Sequence, residues 1–109
     1  MAGTEGKWLP AGPAGDLAPG RVRLVQDGDL RIAVCNVDGQ FYAIEDVCTH
    51  DGGPLDQGQL EDDEIECPRH GARFNVRTGA VTLMPAVMGV QTFPVRVEGD
   101  RILVRAAPE

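Results

Sequence analysis

The chain has 109 residues, and its 17 Asp and Glu outweigh 10 Lys and Arg to give a net charge of −7. That length fits one domain whose core buries roughly two thirds of the unfolded surface without covalent staples. The charge excludes a phosphate-binding, nucleic-acid-type surface, which needs a basic patch; it suits docking onto a positively charged protein or serves solubility alone.

The first residues, MAGTEGKWLPAGPAG, lack the basic region and apolar run of a secretory signal. No stretch approaches the roughly 20 apolar residues of a membrane helix. Three cysteines is an odd count that does not suit a secreted disulfide framework. Together these predict a soluble, cytoplasmic protein with reduced thiols and no membrane partner.

Residues 10 to 20, PAGPAGDLAPG, are expected to form a leading loop that neither a helix nor a paired strand crosses. From Arg21 alternation sets in, with Val22 and Leu24 opposite Arg21 and Arg23, which predicts a half-buried strand. After Asp27-Gly28-Asp29 the run LRIAVCN places Leu30, Ile32 and Val34 on one face and Ala33 and Cys35 on the other. After Asp38-Gly39, QFYAI begins a third run. Short strands joined by Asp-Gly turns predict an antiparallel meander. Cys35, inside an alternating strand, is expected to be a buried small hydrophobe.

From about residue 46 to 90 the chain does not read as simple hairpins. Gly52-Gly53-Pro54, the acidic LEDDEIE and RTGAV predict a loop-built insertion on a β platform, the usual place for function. Near the C-terminus TFPVRVEGDRILVRA alternates again around a Gly99-Asp100 turn, and Pro94, lacking an amide, suits an edge. With no 3.6-residue periodicity and no repeat, the fold class is all-β.

The insertion holds both histidines of the chain and two of its three cysteines. Cys48 and His50 are spaced C-x-H, Cys67 and His70 C-x-x-H, with sixteen residues between the pairs. Two thiolates with two neutral imidazoles suit tetrahedral zinc or a 2Fe-2S cluster with histidines on one iron. Glycine and proline beside each pair let backbone amides approach such a centre closely.

At these residues the sequence resembles the Rieske family, specifically Rieske-type ferredoxins, through NVDGQFYAIEDVCTHDGGPL and ECPRHGARFNVRTGAV. The resemblance covers nearly the whole chain. It implies a single Rieske domain over residues 1–109, an antiparallel β sandwich or barrel with a cluster-binding subdomain at about 46–90. It further implies one 2Fe-2S cluster, with Cys48 and Cys67 on one iron and His50 and His70 on the outer iron. Pro85, in LMPAV, corresponds to a proline-bearing loop that covers the cluster in this family.

Two departures narrow the resemblance. Respiratory relatives carry an additional cysteine in each cluster loop, where this chain has Gly53 and Arg69, so no bridge is expected there. They also carry a serine and a tyrosine whose hydroxyls donate to cluster sulfurs, where this chain has Ala72 and Phe74. Fewer donors stabilise the added electron less, so a low potential within the family is expected.

No nucleotide fingerprint such as G-x-G-x-x-G appears, and at this length no second domain that would bind a small-molecule substrate is expected. The resemblance implies a one-electron carrier between a flavin reductase and a terminal oxygenase, not catalytic alone. Asp51, Arg69 and Arg73 would lie near the histidine edge and set docking. Glu61, Asp62, Asp63, Glu64 and Glu66 form either a docking patch or a solvated loop. The rival readings are a small subunit of a nitrite reductase or other reductase, and a zinc-stabilised interaction module with no redox role.

Overall fold

A computed structural model describes residues 7–49 and 52–106 of the chain. Among the described residues eleven strands are formed: β1 (Trp8–Pro13), β2 (Val22–Asp27), β3 (Leu30–Val37), β4 (Gln40–Glu45), β5 (Leu60–Glu61), β6 (Glu64–Glu66), β7 (Arg73–Asn75), β8 (Val81–Leu83), β9 (Thr92–Phe93), β10 (Val95–Glu98) and β11 (Arg101–Arg105). They make three sheets, ordered β1-β11-β10, β2-β3-β4-β9 and β5-β6-β7-β8. All pairings are antiparallel. The expected all-β architecture is therefore present.

The meander β2-β3-β4 forms because its turns match strand twist. At Asp38-Gly39 both central residues have positive φ, 52° and 92°, the geometry of the two-residue hairpin turn that Asp-Gly accommodates best. Buried Asn36 closes the same corner: its Nδ2 donates to the Leu17 carbonyl at 2.7 Å, and its Oδ1 accepts the Gly39 amide at 2.7 Å.

Strand β3 is buried on both faces. Ile32 and Val34 join one core with Leu9, Ala11, Ala43, Phe93, Ile102 and Val104, between the first two sheets. Ala33 and Cys35 join a second core with Ile44, Cys48, Leu55, Ile65, Cys67, Ala72 and Phe74. The β2-β3-β4-β9 sheet is thus a middle layer whose far face supports the insertion. Burial, with the Asp46 charge adding to it, pushes the Cys35 thiol up to about 12. Cys35 stays a neutral, inert side chain, as its strand position predicts.

The expectation of an unpaired leading loop is corrected. β1 runs through Pro10 to Pro13 and pairs with β11, with its register shifted between those two prolines. A proline is tolerated because β1 is the outer strand of its sheet. Gly12, at φ 85°, takes up the irregularity. One turn of 3-10 helix, Ala14–Asp16, follows. Pro94 marks the point where the chain leaves the middle sheet after β9 and enters the outer sheet as β10. Its carbonyl accepts the Arg105 amide at 2.9 Å.

Within residues 46–90 the connecting loops are joined by four short strands, β5 to β8. The alternation signal is weak there because each strand is only two or three residues long. Among the described residues no helix is long and apolar enough to cross a membrane.

Candidate metal centre

Two loops carry Cys48 and Cys67, one after β4 and one between β6 and β7. They repeat a single hydrogen-bond scheme. In the first, the Cys48 amide donates to the Gly53 carbonyl at 2.7 Å, and the Gly52 amide donates to the Cys48 carbonyl at 2.7 Å. In the second, the Cys67 amide donates to Ala72 at 2.7 Å, and the Gly71 amide donates to Cys67 at 3.0 Å. Gly52 and Gly71, each four residues past its cysteine, have φ of 77° and 80°. That left-handed geometry favours glycine and closes each loop back on its cysteine. The repeated Cys-x-x-x-Gly was legible in the sequence and goes beyond the Cys and His spacing.

The loops place Cys48 and Cys67 in one core, both essentially inaccessible to solvent and neither in a disulfide. His70 is exposed on the rim of the second loop. His50 and Asp51 lie outside the described residues. Ala72 and Phe74 are fully buried in the same core as the two cysteines, and neither carries a side-chain donor. Two buried thiols at the heads of matched glycine turns, with an imidazole at the rim of one, fit a thiolate-held metal centre that keeps one side toward solvent.

Each loop is tied down by an arginine–carboxylate contact that the ligand spacing does not announce. Asp46, two residues before Cys48, is buried. Its Oδ1 accepts the amides of Leu55 at 2.8 Å and Asp56 at 2.7 Å, and its Oδ2 accepts Arg31 Nη2 at 3.1 Å. The Asp46 amide donates to the Arg31 carbonyl at 2.8 Å. Burial and the neighbouring Asp56 side chain raise the Asp46 carboxyl above the usual range, with the Asp56 and Leu55 amides opposing. Asp56 Oδ1, 3.7 Å from Arg31, is buried without a hydrogen-bond partner among the described residues.

At the second loop Arg73, paired across the ladder with Glu66, contacts Glu66 at 3.0 Å, Glu61 at 3.1 Å and Glu64 at 3.6 Å. Asp63 accepts Asn75 Nδ2 at 3.2 Å. Much of the acidic run is therefore the β5-β6 hairpin, folded around one guanidinium. Arg73, expected to set docking, is engaged in that internal network.

The segment bearing Pro85 reaches the first loop, where Thr49 Oγ1 donates to the Met88 carbonyl. Pro85 itself is half-buried, and Ala86 and Val90 enter the core behind it.

Comparison with known proteins places these features in a family. The profile of the Rieske [2Fe-2S] domain matches residues 7–94. The ferredoxin component of biphenyl 2,3-dioxygenase from Rhodococcus jostii (strain RHA1) is 47% identical over 91 residues, covering 84% of this chain and 85% of that protein. A chain in the complex of reduced oxygenase and oxidised ferredoxin of carbazole 1,9a-dioxygenase superposes with a TM-score of 0.91 at 40% identity, covering 94% of this chain and 95% of the other. The ferredoxin of carbazole 1,9a-dioxygenase from Nocardioides aromaticivorans IC177 gives 0.86 at 35% identity, covering 94% and 99%.

Proposed function

The chain belongs to the Rieske [2Fe-2S] domain family, and on that footing we propose that it is a ferredoxin carrying single electrons from a flavin reductase to the terminal oxygenase of a ring-hydroxylating dioxygenase system. The observation that carries this reading is the 47% identity, along most of both chains, to a protein named as a dioxygenase ferredoxin component. It favours an oxygenase system over a nitrite reductase, and family membership favours a cluster over zinc.

In this reading Cys48 and Cys67 hold the inner iron, and His50 and His70 the outer one. A cluster of this type supplies reversible one-electron chemistry at a potential above that of all-cysteine clusters. The protein's part is placement. Burial of Cys48 and Cys67 keeps water from the thiolates, and the paired turns fix both in one core. His70 at the exposed rim leaves an imidazole within reach of solvent and of a docking partner. Ala72 and Phe74 offer no hydroxyl, which keeps the potential toward the lower end of the family range of about −150 to +300 mV. The protein works in the cytoplasm, where its thiols stay reduced.

An absorption spectrum and an EPR spectrum of the dithionite-reduced protein test the proposal. A coloured protein with the signal of a histidine-ligated 2Fe-2S centre is expected. A colourless, EPR-silent protein containing zinc would overturn it.

A further inference from the structure

Residues 78–95, TGAVTLMPAVMGVQTFPV, contain no Asp, Glu, Lys, Arg or His in a chain with 27 Asp, Glu, Lys and Arg (10 + 17). Within them Leu83, Met84, Val87 and Met88 are 51, 75, 80 and 68% exposed. Four large apolar side chains offered to water by one short segment is the signature of a contact surface rather than of scattered surface residues.

Their exposure is built in. Below them the segment is closed at a neck, where the Val90 amide donates to the Gly79 carbonyl at 2.8 Å. The backbones meet there so tightly that a Cβ on Gly79 would lie 2.2 Å from the Val90 carbonyl oxygen, and one on Gly89 2.4 Å from that of Gly79. Ala86 and Val90 point inward to the core. With the neck and these two residues fixed, Val87 and Met88 face outward by construction.

The position of the patch says what covers it. Thr49 Oγ1 donates to the Met88 carbonyl, which sets the patch against the loop that begins at Cys48. A protein that takes an electron through this loop would dock beside these side chains. We propose that Met84, Val87 and Met88 form an apolar docking face for the terminal oxygenase. This rests on the carrier reading above, and the complex of oxygenase and ferredoxin solved for a 40% identical relative supports that choice of occupant. Two methionines give such a face adaptable packing. Because the face is uncharged, the net charge of −7 acts on encounter, and the apolar contact governs how long the complex lasts.

The test uses the loaded, dithionite-reduced protein mixed by stopped flow with the terminal oxygenase of the Rhodococcus jostii biphenyl 2,3-dioxygenase. Val87→Glu with Met88→Glu should lower the second-order transfer rate by about tenfold or more, as loss of a central interface contact does. Visible spectrum and thermal midpoint should stay unchanged. Val97→Glu, at a 45% exposed valine on β10, makes the same chemical change away from the patch and should leave the rate unaltered. If the double variant does not fold, Met84→Glu alone should give a smaller fall in the same direction. Wild-type rates in the correctly folded variants overturn the docking face and leave the carrier reading standing. A fall confined to transfer from the reductase, or a wild-type dimer that the double variant dissociates, assigns the face to another occupant and overturns the proposal. A wild-type protein that forms its cluster yet never reduces the oxygenase overturns the carrier reading itself.

Discussion

The two cysteine loops share one backbone scheme but are held in opposite ways. The Cys48 loop hangs on a buried carboxylate: the fully enclosed Asp46 side chain gathers two amides and the guanidinium of Arg31, itself 39% exposed. The Cys67 loop stands on Arg73, whose partners Glu61, Glu64 and Glu66 are 60, 34 and 40% exposed. In the first case removing the carboxylate strands two amides at an enclosed site; in the second, solvent and salt replace what is lost. Identical turns can therefore have unequal stability, and among its side-chain ties the first loop depends most on Asp46.

Replacing Asp46 should produce the largest effect. Asp46→Ala leaves the Leu55 and Asp56 amides without their shared acceptor and is expected to cost about 2 kcal/mol, chiefly for those amides, since Arg31 is 39% exposed and water replaces much of its contact. The lowered urea midpoint for bleaching of the visible band reports it. Asp46→Asn keeps an oxygen for the two amides and should cost about 1 kcal/mol. The sign with pH is also fixed. Because the native Asp46 carboxyl sits above its usual value, the folded state holds its proton more tightly than the unfolded chain does. Stability from this group is present below the ordinary carboxylate pKa of about 3.9 and is lost as pH rises through the raised native value. Asp46→Asn should remove that decline, and an unchanged slope would refute the assignment.

The second loop carries the electronic adjustment. Ala72 closes it through the Cys67 amide, and Phe74 lies beyond on β7. Ala72→Ser with Phe74→Tyr introduces two hydroxyls beside the cysteines. The expected result is an upward shift in potential on the order of 60 mV, about 1.4 kcal/mol for one electron. Protein-film voltammetry measures it directly. No shift would mean that these positions do not address the centre.

The alternation of β3 and the Asp-Gly turns were legible because each residue's face follows from period two. β1 was not, since the prolines that forbid an inner strand say nothing about an outer one. At the site, Cys48 and Cys67 could be picked out because they stand in matched spacing with the histidines. Asp46 could not: a lone aspartate before a cysteine reads as an ordinary turn residue, and only its burial beside two amides gives it a role. The acidic run was read by composition as a surface, whereas pairing of Glu66 with Arg73 across β6 and β7 turns much of it inward on itself.

Arg73 supplies the smallest and most informative contrast. Arg73→Ala removes contacts to Glu61, Glu64 and Glu66, yet the β6-β7 ladder of Glu64 with Asn75 and Ile65 with Phe74 remains. Ile65 and Phe74 stay in the core, so the Cys67 loop keeps its apolar support. The loss should be smaller than that of Asp46→Asn. It should shrink further in about 1 M salt, where the Debye length falls to about 3 Å and repulsion among the three released glutamates is screened. Asp46→Ala, whose lost amide contacts lie at an enclosed carboxylate, should show much less relief. Urea midpoints for both variants at low and high NaCl decide the matter. A salt-independent loss at Arg73 equal to that at Asp46 would show that exposure does not separate the two loops, and their difference would then have to come from the turns themselves.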